Sequence, residues 1–591
     1  MFRFQFSASV GYVVEIGESL MWFYRNRARL VGVTATHPYL QGEFKGVNTA
    51  QLNDLQWFVH ENHPVSKLTR GVGASITSGT PTSGSRYRID ANTGADFTGI
   101  GATENTVGTS FIANGGAPTW GTTGKLTLKG VVLSAGTPVS GTEYVITGNS
   151  GSTFTNIGAA DNVVGTIFIA NGLAPTWGTG EIQSVPWNFA EVEYKNPPFR
   201  AENLNDAHTI AVDGITGDGI TLTASTDTFD DLHVGAYWRI GHFRDIPSVK
   251  LLTNPDNGGG AGGLSDELEV LGAWEVVTSG AWFGRVDLER SVAGGAYHTI
   301  RQWRARGNRN FTASGYEETP SVTYRLRFFY EYSKYSTNTT SPTAFLELLT
   351  SLHWGVVKIT GVTNAKVATA NVVTDLYSGA VAADATEFWA EGSWSDYRGY
   401  PKTVTLHEQR MIYGGNASEA QTVWGSDVDS YDSFTQLDSN DSDSFQYTVG
   451  SDEYSEIQWL ATSPKNLMVG TTGGEWSFSS GSDESLITPT NVRARRESVW
   501  GAEHVQAIST NNVILFVEQG ARKLRELAYS FEQDGFVSAD LAQLSEHLTA
   551  GGIVDIAIQR HRDVVIWCVT GDGNLLSLTY DRAQNVVGWA K

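Results

Sequence analysis

One cysteine is all the chain has, so no disulfide can form within it and a zinc site built on several cysteines is excluded. That residue, Cys568, sits in the apolar run VVIWCVTG, where a lone thiol reads as a small core side chain rather than a nucleophile. Charge is also sparse. Only 18% of the 591 residues are charged, and 41 basic residues stand against 63 acidic ones. The resulting net charge of −22 argues against a general nucleic-acid binder, which needs Lys and Arg to displace counterions from phosphates. It is compatible with a surface past which DNA slides without adhering, because like charges repel. No apolar run approaches the length that crosses a bilayer. The opening MFRFQFSASVGYVVEIG lacks the basic region, apolar run and small-residue cleavage site of a signal peptide. Phe2, Phe4 and Phe6 alternate there with Arg3, Gln5 and Ser7, the pattern of a half-buried strand.

The motifs that usually mark catalysis are missing as well. GTTGKL (Gly121–Leu126) lacks the upstream glycine of a phosphate loop and places Leu126 where Ser or Thr would bind magnesium. His60 and His63 in HENH have neither the spacing nor the helix of a zinc protease. No Gly-x-Ser-x-Gly elbow surrounds a serine. The residues therefore give no catalytic, cofactor-binding or metal site, and no enzyme activity or cofactor is expected.

What the chain does have is glycine, 65 residues of it, and 11% aromatics set among Thr, Ser and Val. That mixture describes an all-β protein with many turns. FIANGGAPTWGT (Phe111–Thr122) returns as FIANGLAPTWGT (Phe168–Thr179), 57 residues later. The correspondence spans about 79–124 and 136–181 at a constant offset, with Gly79, Tyr87, Phe97, Gly101, Gly108 and Trp120 matching Gly136, Tyr144, Phe154, Gly158, Gly165 and Trp177. Turn glycines and strand aromatics are kept, while polar positions such as Arg86/Glu143, Asp96/Thr153 and Glu104/Asp161 differ. Duplicated chemistry would keep the polar residues, so the duplication reads as scaffold inserted into a loop.

Four regions follow: an N-terminal β platform (1–74), the tandem insertion (75–182), a β-rich domain continuing the platform (183–345), and a propeller-like domain (346–591). The last rests on segments starting at Val404, Ile457, Val505 and Val554, about 50 residues apart, each with an apolar middle strand and a glycine turn. Two helical features are expected: a short turn near Thr49–Leu55, and a helix capped by Ser538 along ADLAQLSEHLTAGG. NPDNGGGAGG (Asn254–Gly263) reads as a loop tip, and SVAGGAYHTI (Ser291–Ile300) as a turn like an Asp-box without its aspartate.

No Lys or Arg lies between Arg410 and Lys465, an interval holding Asp427, Asp429, Asp432, Asp438, Asp441 and Asp443 as well as Asp452, Glu453 and Glu456. These six aspartates are candidates for a channel lining or a subunit interface, against the plainer reading of a solvated acidic face. DSNDSDS offers hard oxygen ligands but lacks the glycine and terminal glutamate of a calcium loop. The basic clusters Arg301–Arg309, Arg493–Arg496 and Arg522–Arg525 suit partners for such acids. Trp274, Trp282 and Trp459 sit in apolar strands and read as core.

An ordered run of segments resembles a family of large phage tail proteins: EGSWSDYRGYPKTVTLHEQRMIYGG (Glu391–Gly415), VWGSDVDSYDSF, LMVGTTGGEWSF, ARKLRELAYSFEQDGFVSADLAQLSEHLT and VIWCVTGDGNLLSLTYDRAQNVVGW. HPYLQGEF, FVHENHPVSKLTR and DLHVGAYWRIG look like the same family's earlier segments. The resemblance is to the tail nozzle, or tail tubular protein B type, of short-tailed phages. It implies a virion protein of the tail that forms a hexameric tube, docks on a head–tail adaptor, carries tail fibres or spikes and conducts double-stranded DNA. It brings no catalytic residues. Relatives usually extend beyond both ends seen here, which bears on propeller closure and adaptor docking. The alternatives are a tail-borne glycan depolymerase using a carboxylate pair and a glycan-binding adhesin using exposed tryptophans.

Overall fold

A computed structural model describes the chain except residues 9, 244–247, 254–260, 308, 318, 320, 331–341, 349–351, 378, 382–384, 436–439, 464, 481–485, 511, 534 and 562. The fold is all-β. Among the described residues the only helices are four three-residue 3-10 turns, such as Gln41–Glu43. Two compact units divide the chain: Met1–Pro198 with Gly392–Lys591, and Phe199–Glu391.

The first unit begins with a four-stranded antiparallel meander, Phe2–Gln5 to Ala28–Thr36. Phe4 is buried as its alternation requires, alongside Tyr12, Val14, Met21 and Phe23. A second sheet pairs Asn48–Leu52, Leu55–His60, His63–Arg70 and Trp187–Glu191. The expected helical turn near Thr49–Leu55 is instead a hairpin: Leu52 pairs with Leu55 across a two-residue turn in which Asn53 takes a positive φ of 52°. Asparagine tolerates that conformation, and the cross-strand pairing outweighs local helix propensity.

Arg70 lies opposite Trp187, and Gly71 N donates to Pro186 O at 2.8 Å, so the residues flanking the tandem module are hydrogen-bonded neighbours. Inside the module the two repeats build matching cores. Tyr87, Ile89, Phe97, Ile100 and Phe111 are buried in one, and Tyr144, Ile146, Phe154, Ile157 and Phe168 in the other. The retained tryptophans close the same ring in each: Trp120 Nε1 donates to Gly79 O and Trp177 Nε1 to Gly136 O, both at 2.8 Å. The long strand Lys125–Leu133 pairs with Ser85–Ala91 of the first repeat and Glu181–Ser184 of the second, fusing both into one sheet. Gly130 permits this, because at its φ of 137° a Cβ would lie 2.1 Å from Ser184 O.

Four further four-stranded meanders follow Gly392, starting at Thr403–His407, Ile457–Thr462, Ile508–Thr510 and Ile553–Gln559. Apolar clusters fill the space between consecutive sheets, with Ile412 and Val423 against Leu460 and Val469, Trp459 and Met468 against Ile514 and Phe516, and Leu515 and Leu524 against Ile566 and Leu576. Asn48 of the platform donates to Thr403 Oγ1 at 3.3 Å and to Gln506 Oε1 at 2.6 Å, drawing inner strands together. The described contacts join the sheets in a row; a closed ring, which a propeller requires, is not among them. The helix expected after Ser538 is absent. Gly535–Asp540 is a strand, Leu527 opposite Ser538, and residues 541–550 form turns and bends that leave Leu544 95% exposed. Six cross-strand pairs from Gly535 to Asp540 won over an amphipathic pattern of three leucines.

The second unit holds two sheets. In one, Ile220–Ala224 pairs with Val367–Thr374 and Tyr237–Phe243 with Leu352–Asn364, around Leu222, Trp238, Val357 and Ala368. The other is nine-stranded, with Trp274, Trp282, Leu288, Leu326 and Phe328 in its core. The sequence reading placed boundaries at 182/183 and 345/346; the compact units part at 198/199 and 391/392. Pairings such as Leu222 with Ala368 span most of the unit, and local periodicity is blind to them. Residues 254–260 of the expected loop tip lie outside the described residues, and Ala261–Ser265 is a strand. Around Ser291–Ile300, Trp282–Val292 and His298–Gly307 form a hairpin.

Candidate functional site

The acid-rich segment hangs from one buried cation. Arg410 opens Arg410–Gly414, the second strand of the meander that starts at Thr403–His407, and its side chain is almost wholly buried. Its guanidinium donates to four main-chain carbonyls: Ser426 O at 2.6 Å, Asp441 O at 2.7 Å, Asp443 O at 2.7 Å and Ser442 O at 3.3 Å. Burial lowers its pKa from the ordinary arginine value, while the nearby Asp427, Glu408 and Asp443 charges oppose that, and a guanidinium stays protonated in proteins. The loop's shape is thus set by carbonyls, leaving its carboxylates for other work.

The six candidate aspartates go to different places. Asp427 turns inward and accepts from Thr435 N at 3.0 Å and Thr435 Oγ1 at 2.8 Å. Asp432 pairs with Lys67 at 2.7 Å, tying the loop to the platform strand His63–Arg70. Asp443 is buried and accepts from Asn440 N at 3.2 Å. Asp429 and Asp441 are exposed. Asp438 lies outside the described residues, as does Ser439 of DSNDSDS. Of the five described aspartates, three are therefore held in the framework and two face solvent.

A cavity of about 460 Å³ opens beside it, lined by Glu408, Arg410, Asp441, Ile487 and Thr488 among others. Glu408 accepts from Ile487 N at 2.7 Å. Two of the basic clusters serve acids within the chain: Arg496 faces Asp452 at 3.6 Å, Lys523 pairs with Asp540 at 3.0 Å, and Arg525 with Glu518 at 2.5 Å. Cys568 is buried, and burial pushes its thiol up to about 12, far from a reactive thiolate. Trp274, Trp282 and Trp459 are core residues.

Two constellations escaped the sequence reading. Glu143, one of the polar positions that differ between repeats, is fully buried between Arg25 at 2.5 Å and Arg70 at 2.8 Å, and accepts from Tyr12 Oη at 2.7 Å. Together with Val31 N donating to Gly141 O at 2.9 Å, it roots the second repeat on the N-terminal sheet. Arg86, its counterpart in the first repeat, instead pairs with Glu181 at 2.7 Å, across the shared sheet. The second constellation is Glu43, His60 and His63, whose ligand atoms all lie within 4.8 Å of one another. Its signal was in HENH: read as a hairpin rather than a helix, His–x–x–His spans a two-residue turn and the two rings become cross-strand neighbours.

The fold and this site define an all-β protein built of stacked antiparallel sheets, with an acidic loop as its outstanding charge feature. No protein-family model matches the chain, and no curated protein matches it. Among solved structures, "Structure of infectious bursal disease virus Gt strain" aligns over 55% of this chain and 78% of that chain at 11% identity, with a TM-score of 0.11, which carries no argument. Among the described residues no helix is long and apolar enough to cross a membrane.

Proposed function

We propose that this chain is a structural virion protein of a short-tailed phage, forming as a hexamer the tail nozzle through which DNA is ejected, docked on the head–tail adaptor and supporting fibres. The observation that carries the reading is the ordered set of family-like segments on consecutive meanders. MIYGG lies on Arg410–Gly414, LMVGTTGGEWSF on Leu467–Thr471 and Gly474–Ser479, RKLRELAYS on Leu524–Ser530, and VIWCVTGDGNLLSLTYD on Val565–Thr570 and Leu575–Asp581. Exposed acids such as Asp429 and Asp441, repeated by symmetry, would make a wall that repels phosphate within a Debye length of about 8 Å at physiological salt. Repulsion of that range prevents sticking without opposing axial motion.

Electron-microscopy class averages of the purified protein, alone and with its adaptor, test this. A six-fold ring with an open bore supports it. A closed trimer without a bore refutes it and turns attention to polysaccharide cleavage; glycan binding without turnover favours an adhesin.

A further inference from the structure

We propose that Glu43, His60 and His63 form a binding site for one divalent transition-metal ion, which staples the connection preceding Asn48–Leu52 to the hairpin that follows it. The site is independent of the proposed role in a tail.

Three separate pieces of backbone deliver the ligands. Glu43 ends the 3-10 turn Gln41–Glu43, His60 ends one strand and His63 begins the next. The carboxylate is held in place: Oε2 accepts from Leu40 N at 2.8 Å and Oε1 from Asn62 Nδ2 at 3.1 Å. His63 Nε2 lies 2.6 Å from Glu43 Oε2. Tyr39, itself buried, packs edge-on against His63 at 5.3 Å and tilted against His60 at 6.0 Å, giving the cluster an apolar wall. His60 is buried, whereas the side chains of Glu43 and His63 are 17% and 18% exposed, so one side of the cluster opens to water.

The chemistry fits. Two imidazoles and one carboxylate are a borderline ligand set suited to zinc and its neighbours rather than to calcium or magnesium. Tetrahedral bonds of about 2.0–2.2 Å put ligand atoms roughly 3.3 Å apart. The observed separations, from 2.6 Å to within 4.8 Å, straddle that value, so side-chain rotations suffice. Water completes the coordination on the open side. In a chain with a single cysteine, such an ion would do what a disulfide does elsewhere, joining segments that nothing covalent links.

The test uses the full chain, stripped with chelator and titrated with Zn²⁺ by calorimetry, with Co²⁺ absorption as a second readout. The expected result is one ion per chain, a Co²⁺ visible band of nitrogen and oxygen ligation, and a thermal midpoint raised by Zn²⁺. Glu43→Gln and His63→Gln should each weaken binding by at least about tenfold and abolish the Zn²⁺-dependent rise. Absence of stoichiometric binding to the wild type overturns the proposal, leaving a hydrogen-bonded cluster only. Equal affinity in both variants overturns it too, because the ion then lies elsewhere. Should His63→Gln fail to fold, Glu43→Gln and the Co²⁺ spectrum of the wild type decide.

Discussion

Replacing Glu143 by alanine strikes a point where a fully buried anion holds two cations together. The carboxylate has no exposed surface, and Arg70 and Arg25 are 5% and 11% exposed. Tyr12 depends on it as well: burial and the adjacent Glu143 charge both raise the phenol's pKa well above its ordinary value, so it stays a donor to the carboxylate. Without the anion, two guanidiniums lose their partner at a site water barely reaches. Breaking a buried pair by removing one partner costs about 3–5 kcal/mol, more than deleting a surface bridge by several-fold. Glu143→Gln keeps the shape and removes the charge, so it should recover part of the packing loss but not the electrostatic one. Glu143→Arg, which copies the first repeat's Arg86 into the second, should be the worst of the three. The assay is urea unfolding followed locally by hydrogen exchange in Glu143–Gly148, Leu20–Arg25 and His63–Arg70, the strands this site joins. A double-mutant cycle with Arg70→Met isolates the pair. A Glu143→Ala loss below about 1 kcal/mol, or protection lost everywhere equally, would refute the view that this triad is the root of the tandem module.

Glu475→Gln should stabilise the protein at alkaline pH. Burial pushes this carboxyl up to about 8, with Arg525 opposing, against 4.5 for the free group, so it folds neutral. The folded state's advantage is complete below 4.5 and is lost as pH rises towards 8. Thermal midpoints of the two proteins should therefore coincide below about 4.5 and separate progressively as pH rises to about 8; a constant offset across that window would contradict this. His407 is the converse: burial lowers its pKa below 6.5, so stability is full above 6.5 and falls as acid protonates the unfolded chain first. His407→Leu should flatten that acid limb in the same midpoint series. Arg410→Lys, which cannot reach four carbonyls from one planar fork, should make residues 427–443 susceptible to limited proteolysis while the remaining meanders stay intact. Gly130→Ala should cost about 1–3 kcal/mol by placing a methyl against Ser184 O in a backbone region that L-residues avoid, and exchange protection should fall along Glu181–Ser184.

Period and composition carried the all-β class, because strands with one buried face announce themselves by alternation, as Phe2–Gln5 does. The tandem repeats were legible for the same reason their cores superpose: the aromatics and turn glycines that specify a small sheet were retained. Each later meander was visible as three strands, while a fourth, such as Arg493–Ser498 or Gly535–Asp540, escaped because its polar or turn-like residues carry no apolar signature. Long-range partners were invisible. Nothing near Glu143 says that Arg25 and Arg70 await it, and nothing near Asp432 points to Lys67. HENH was compared only with a zinc protease's helical motif, and the tight turn that makes His60 and His63 cross-strand neighbours carries no such pattern.

The pairing of Arg70 with Trp187 has a consequence for how the chain can vary. Between those residues lie more than a hundred others, yet the module's two ends leave the platform side by side, and the second repeat is rooted there through Glu143 and Gly141. Loop-closure entropy grows with the logarithm of length, and once the module folds on itself even that dependence disappears. The strand pair Tyr237–Phe243 with Leu352–Asn364 encloses a second excursion in the same manner. Such a chain can exchange, lengthen or lose whole outgrowths while its framework keeps the same boundary conditions, with a single stipulation at the first of them: whatever replaces the tandem module must bring an acid to meet Arg25 and Arg70.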